Sequence, residues 1–149
     1  MGRALVAVGA ALILCFAGFG AVIYFTRIED RIAVDNLLAE DLTRAIGTAE
    51  ENTDGRVDLR KVANFPWEQV VLVAPGTPDD GISEELSFEW KGDRPFGDGE
   101  LLIFLAGGKL LRFADYRGEG VFDRFPRPFA RITRDDGVLR VRNLIISPA

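Results

Sequence analysis

The chain has 149 residues, a mass of 16.4 kDa and a formal net charge of −5, with 48% hydrophobic and 28% charged side chains. This length allows one modest domain and excludes a multidomain enzyme. The sequence has no histidine and a single cysteine, Cys15, which excludes Ser-His-Asp and Cys-His catalysis, histidine-based metal or haem sites and an intrachain disulfide. We therefore expect a protein that is not an enzyme and that binds neither a metal ion nor a cofactor.

The first predicted element is a membrane segment. Residues 4–25 carry no charged side chain, and as a helix they extend about 33 Å, enough to cross a hydrocarbon core of about 30 Å. We predict a short tail at residues 1–3 and an uncleaved transmembrane anchor at residues 4–26 that contacts the lipid bilayer. A cleaved signal peptide and a lipoprotein modified at Cys15 are the alternatives.

The charges that flank this segment bear on its orientation. Arg3 precedes it, and Arg27 and Arg31 follow it, so the count of basic residues on the two sides is nearly balanced. A very short tail before a long C-terminal region is typical of a signal anchor. The composition, rich in arginine, alanine and glycine, indicates a bacterial protein. We predict a single-pass protein of the bacterial inner membrane, with its C-terminal domain outside the cytoplasm.

Residues 27–52 are predicted to form a stalk that continues into an amphipathic helix. At 100° per residue, six apolar side chains lie on one stripe of this helix, and Arg31 and Asp35 interrupt the same face nearer the anchor. The stripe is predicted to cover a sheet in its own domain; the alternative is a homodimer seam through residues 34–49. Its members are Val34, Leu38, Leu42, Ala45, Ile46 and Ala49.

Residues 53–149 are predicted to form the α+β domain. Its first half begins with turn residues at 52–55, a short helical turn at 58–64 and a strand at 68–74. A short helix then runs to Leu86, with Thr77 as N-cap and Pro78 at the first helical position.

The second half of this domain is predicted to be mostly strands. Two runs, at residues 100–106 and 109–116, form a hairpin around a Gly-Gly turn, and an irregular loop follows. A second hairpin is predicted from residues 129–133 and 138–146, with its turn at Asp-Asp-Gly. The result is an α+β fold, with a mainly antiparallel sheet of about five strands covered by helix.

Arginine and aromatic residues recur together in the last third of the chain, where basic residues outnumber acidic ones. These residue types are common at binding hot spots, and arginine also binds phosphate or carboxylate groups in a bidentate manner. The alternative is ordinary alternation along strands, with aromatic side chains inside and arginines outside. The predicted interaction surface consists of Arg112, Tyr116, Arg117, Arg124, Phe125 and Arg127, with Trp67 and Trp90 near strand edges.

Residues 58–123 resemble small bacterial membrane-anchored or lipoprotein domains that lie outside the cytoplasm. The pattern that carries the resemblance is the stretch WEQVVLVAPGT (residues 67–77), where Gly76 replaces the usual tyrosine. It continues through Phe88, Trp90, Asp98-Gly99, Gly108-Lys109 and Tyr116. It implies an envelope binding module, with immunity against secreted toxins as one role, and it supplies no catalytic residue.

The predicted function is therefore a membrane-anchored protein that presents a non-catalytic domain to a protein partner in the envelope, as an immunity or adaptor protein. Nucleic acid is not expected as a partner, because the chain is acidic overall. One alternative is a pilin-like filament subunit, although the Gly-Phe-Thr-x-x-Glu processing motif is missing. The other alternative is an adaptor tethered to the cytoplasmic side of the membrane.

Overall fold

The computed structural model describes residues 34–92, 99–123 and 128–149. All of them belong to one compact unit that runs from Ile32 to Ala149. The predicted anchor, Cys15 and the first part of the predicted stalk lie outside these residues. A search of the described helices finds none with the length and hydropathy needed to cross a membrane.

The described residues form an α+β fold with two four-stranded sheets, which confirms the predicted class and mainly antiparallel pairing. We call the sheet with strand order β1-β7-β8-β5 sheet A and the one with order β4-β3-β2-β6 sheet B. The prediction of a single sheet of about five strands is wrong. The helices are α1 (Asn36–Glu51), α2 (Leu59–Val62) and α3 (Asp79–Leu86), and the strands are β1 (Arg56–Asp58), β2 (Gln69–Val73), β3 (Glu100–Ala106), β4 (Lys109–Tyr116), β5 (Val121–Phe122), β6 (Phe129–Thr133), β7 (Val138–Arg142) and β8 (Ile145–Pro148).

Helix α1 is the predicted amphipathic helix. Asp35 caps it, because its Oδ1 atom accepts a hydrogen bond of 3.0 Å from the backbone N–H of Leu38. Asp35 therefore starts the helix rather than interrupting one of its faces. The apolar stripe is buried inside the domain, as predicted. Its fully buried members are Leu38, Leu42, Ile46 and Ala49.

The two central strands of sheet B, β2 and β3, are buried on both faces, which explains their continuous apolar runs. Val70 and Leu72 point into a central cluster, which also contains the stripe of α1 and the inner side chains of sheet A. Val71 and Val73 point to the opposite face, into a second cluster that contains Ile82 of α3. Sheet B thus forms the middle layer of this unit.

The first predicted hairpin is confirmed. Strands β3 and β4 are antiparallel neighbours, and the turn residues Gly107 and Gly108 both have positive φ, as a two-residue hairpin turn requires. The predicted short helix is also present, with Ile82 and Leu86 buried. Its start differs, because Pro78 occupies the N-cap position and the Thr77 hydroxyl donates to the carbonyl of Ala74.

The second predicted hairpin is wrong. Strand β6 pairs with β2 in sheet B, whereas β7 pairs with β1 and β8 in sheet A, so the Asp-Asp-Gly turn carries the chain between the sheets. The run at residues 138–146 also contains a reversal. Asn143 and Leu144 have φ of 51° and 60°, and they join β7 to β8 in a hairpin. Strand β5, inside the predicted irregular loop, pairs in parallel with β8.

Candidate functional site

Three of the four aromatic residues of the predicted interaction surface, Trp67, Trp90 and Tyr116, are part of the interior. Trp67 is 1% exposed, and its indole N–H donates to the carbonyl of Ala63 across 3.1 Å. Trp90 is buried in the second cluster, where its ring packs edge-on against Phe113 at 5.0 Å between centroids. Tyr116 is buried in the central cluster. These aromatic side chains stabilise the fold and are not available to a partner, which corrects the prediction.

Two of the four arginines of the predicted surface, Arg112 and Arg117, are exposed but form contacts within their own domain. Arg112 contacts Asp35 through an Nη1–Oδ2 distance of 2.9 Å, and its guanidinium lies 4.8 Å from the ring centroid of Phe65. Arg117 contacts Asp115 through an Nη2–Oδ2 distance of 2.7 Å. The remaining predicted members, Arg124, Phe125 and Arg127, lie outside the described residues.

Arg131 of β6, and Arg134 just after this strand, also form contacts within their own domain. Arg131 donates to the Glu85 carboxylate across 2.7 Å and to the side chain of Gln69 across 3.2 Å, which ties α3 to β6 and β2. Arg134 donates to the backbone carbonyls of Phe65 and Trp67. In this part of the chain, the pairing of arginine with aromatic residues reflects packing.

A buried polar cluster surrounds Tyr116. Its hydroxyl donates to the carbonyl of Glu119, and the Glu100 carboxylate accepts a hydrogen bond of 3.4 Å from the backbone N–H of Phe122. Burial, followed by the charges of Glu100 and Glu119, raises the pKa of Tyr116 to about 12. Since a phenol with this pKa stays protonated near neutral pH, Tyr116 is suited to structural hydrogen bonding rather than to proton transfer.

A groove of about 790 Å³ lies between the C-terminal half of α1 and the segment that contains β1 and α2. Asp58 lines it and caps α2 by accepting a hydrogen bond from the backbone N–H of Arg60. The Arg60 guanidinium, which also bonds the carboxylate at 2.8 and 2.9 Å, lowers the pKa of Asp58. No metal-binding group of three or more histidine, cysteine, aspartate or glutamate residues occurs among the described positions.

The outer side of sheet A carries a different combination of side chains. Arg56 and Arg140 are paired residues of β1 and β7. Arg142 is paired with Ile145, which in turn is paired with Val121 of β5. Because directly paired residues project to the same side of a sheet, these side chains share one face. We call the set the arginine–aliphatic face; its members are Arg56, Arg140, Arg142, Val121, Ile145 and the adjoining turn residue Leu144.

All six residues of this face are exposed. Val121 is 62% exposed, Ile145 53% and Leu144 40%, which are high values for aliphatic side chains. Within residues 34–92, 99–123 and 128–149, no carboxylate lies within 4.0 Å of the three guanidinium groups. The face therefore combines three guanidinium groups with exposed apolar surface, and the Glu50 carboxylate adjoins it, accepting a hydrogen bond of 3.4 Å from the backbone N–H of Leu144.

The backbone at Leu144 is unusual for its residue type. Its φ of 60° lies in the left-handed region, which glycine or asparagine normally occupies at this position of a two-residue hairpin. A leucine in this conformation costs roughly 1 to 2 kcal/mol relative to glycine. The protein thus maintains an exposed aliphatic side chain at the tip of the β7–β8 hairpin at a cost in stability.

One feature of the sequence indicates this face. The predicted interaction surface did not include it, because that surface was chosen from arginines next to aromatic residues. The alternation in Val138-Leu-Arg-Val-Arg142 places Arg140 and Arg142 on one side of a strand whose other side is buried. The pairing of β7 with β1, which adds Arg56, joins residues far apart in the chain.

The chain was also compared with protein-family models, with curated proteins and with solved structures. None of these comparisons gives a match.

Proposed function

We propose that this protein is a single-pass membrane protein whose segment at residues 4–25 anchors a non-catalytic α+β binding domain outside the cytoplasm. The resemblance of residues 58–123 to envelope domains supports this location, and an immunity or adaptor role is its narrower form. The observation that carries the binding role is the arginine–aliphatic face, where three guanidinium groups that form no ion pair among the described residues adjoin three exposed aliphatic residues.

The anchoring function has a support that is independent of this face. An uncharged segment of this length inserts favourably into a bilayer, since each apolar residue contributes a favourable free energy of insertion and no charge opposes it. The described part of the domain packs its own apolar stripe and both faces of sheet B internally. Its architecture therefore needs no membrane environment for folding.

The test of anchoring uses two substitutions inside the segment. In the full chain, Leu12→Arg with Leu14→Arg is expected to release the protein from membranes under alkaline extraction, because each central arginine costs about 3 kcal/mol of insertion. The matched variant, Leu12→Ile with Leu14→Ile, keeps the segment apolar and is expected to remain in the membrane pellet. Extraction of the unaltered chain into the soluble fraction contradicts an anchor.

The test of orientation uses reporters fused after Ala149. A phosphatase that is active only outside the cytoplasm is expected to give signal, and a fluorescent protein that folds only inside is expected to be dark. The reverse result makes the protein a cytoplasmic membrane-tethered adaptor. An intact mass that shows N-terminal processing favours the cleaved alternatives, including the pilin-like one.

A further inference from the structure

We propose that the arginine–aliphatic face docks onto a bilayer surface rich in anionic lipids. The guanidinium groups bind lipid phosphates, and the aliphatic side chains lie at the boundary between headgroups and acyl chains. This inference rests on the proposed function, which places the domain beside a membrane, and it names the partner of the same face.

The charge distribution indicates an anionic partner. Arg56 and Arg140 lie directly opposite each other on neighbouring strands, and like charges in this arrangement destabilise a strand pair. Arg142 adds a third positive charge two residues along β7. An anion between these side chains removes their repulsion and accepts bidentate hydrogen bonds, for which the planar guanidinium group is well suited to phosphate.

The aliphatic part of the face indicates that this anion belongs to an apolar body. Val121 and Ile145 are adjacent across the β5–β8 pair, and the N–H of Val121 donates to the carbonyl of Leu144 across 2.8 Å. Val121 and Ile145 therefore project side by side, Leu144 precedes Ile145 in the hairpin turn, and Ile145 adjoins Arg142 through their pairing. Basic residues beside exposed aliphatic ones are typical of surfaces that lie at a membrane interface.

The size of the face favours a bilayer over a protein partner. A stable protein interface buries about 800 Å² on each side around an apolar core, which three aliphatic residues do not supply. A tethered domain needs far less affinity, because the tether gives an effective concentration in the millimolar range. Residues 27–35 separate the predicted anchor from α1, and a chain of this length extends at most about 32 Å.

The docking experiment uses the full chain reconstituted in lipid nanodiscs. Asn143→Cys, in a Cys15→Ser background, carries an environment-sensitive fluorophore next to Leu144, and Glu84→Cys on α3 carries it as the control site. Nanodiscs contain either phosphatidylcholine alone or phosphatidylcholine with phosphatidylglycerol. We expect a blue shift and higher emission at position 143 only with the anionic lipid, with reversal at high salt.

Charge variants test which arginines are responsible. Arg56→Gln with Arg140→Gln and Arg142→Gln is expected to weaken docking on the order of 100-fold, since each basic residue near an anionic surface contributes about fivefold. The control combines Arg44→Gln, Lys91→Gln and Lys109→Gln. It lowers the net charge by the same amount on other surfaces and is expected to retain docking.

A second variant separates docking from folding. Leu144→Gly relieves the left-handed backbone strain, so the folded domain is expected to be at least as stable as the unaltered one, whereas docking is expected to fall about tenfold with the loss of apolar contact. Leu111→Ala removes exposed aliphatic surface from β4 and is expected to leave docking unchanged.

Three results would overturn the proposal. The first is equal emission at position 143 with anionic and zwitterionic lipid. The second is equal weakening of docking by the triple variant of the face and by the triple control variant. The third is a response to a poly-glutamate peptide without a response to anionic nanodiscs, which identifies an acidic protein as the partner. If the anchoring test fails, the labelled chain mixed with anionic vesicles still reports docking, so the two proposals fail separately.

Discussion

Tyr116 shows how a single polar side chain is accommodated in the central cluster. The side chain is buried, its hydroxyl donates to the Glu119 carbonyl, and its ring packs edge-on against Phe122 at 5.5 Å between centroids. The nearby carboxylates of Glu100 and Glu119, together with burial, disfavour the phenolate and raise the pKa of Tyr116 to about 12. The hydroxyl is therefore a stable donor over the whole neutral range.

This pKa predicts a specific loss of stability in alkali. The unfolded chain releases the Tyr116 proton near pH 10 and the folded chain near pH 12. The contribution to stability is therefore fully present below pH 10 and is lost as the pH rises through this interval. Since one pKa unit corresponds to about 1.4 kcal/mol and solvent screens part of this effect, the free energy of unfolding is expected to fall by about 1 to 2 kcal/mol more in the unaltered chain than in Tyr116→Phe.

The measurement is urea unfolding of the full chain in detergent at several pH values from 9 upwards. The matched control is Tyr24→Phe, which removes the other of the two tyrosines in the sequence. Identical pH dependence in Tyr116→Phe and the unaltered chain would show that this phenol does not link pH to folding.

At the scale of elements, local patterns predicted what depends on neighbours in sequence. The helical spacing of apolar residues predicted the buried stripe of α1. The Gly-Gly turn between two apolar runs predicted the β3–β4 hairpin. The turn pattern at residues 134–137 led to a wrong prediction of a second hairpin. Turn residues between two strands are the same whether the strands pair with each other or belong to different sheets. The partner of β6 is β2, which lies far away in the chain.

The candidate face was less predictable than the fold. Alternation along β7 gives the outward direction of Arg140 and Arg142. The sequence does not show which arginines form an ion pair with a carboxylate. Arg112 contacts Asp35, and Arg131 contacts Glu85, only through tertiary packing. Among the described residues, Arg112 and Arg131 therefore contact their own domain, which their neighbours in sequence do not predict.

Helix α1 provides a prediction about capping. Asp35 caps the helix through Oδ1 and contacts Arg112 through Oδ2. Asp35→Ala removes both interactions and is expected to destabilise the domain by about 1 to 2 kcal/mol. Asp35→Asn keeps a side-chain acceptor for the N–H of Leu38 and loses only the charge, so most of this stability is expected to return, because an exposed ion pair contributes little.

Chemical unfolding followed by circular dichroism measures this difference. The control for the ion pair alone is Arg112→Gln, which is expected to cost less than Asp35→Ala. Equal destabilisation by Asp35→Asn and Asp35→Ala would assign the role of Asp35 to its charge instead of to capping.

At the scale of the described unit, the two apolar clusters are joined by one layer. Alternate residues of β2 and β3 enter the central cluster and the second cluster, so neither cluster loses its packing without disturbing sheet B. Arg131 strengthens this link, since it connects α3 to the edge strand β6 and to its neighbour β2. We therefore expect both clusters to unfold in one cooperative transition.

The two tryptophans of the sequence allow this expectation to be tested, because Trp67 lies in the central cluster and Trp90 in the second. Trp67→Phe leaves a fluorescence probe in the second cluster, and Trp90→Phe leaves one in the central cluster. In each variant, the urea midpoint from fluorescence is expected to match that from circular dichroism of the same variant. A Trp90 signal that changes at lower urea than the dichroism would mean that α3 and its cluster unfold separately, and that sheet B does not couple the two faces.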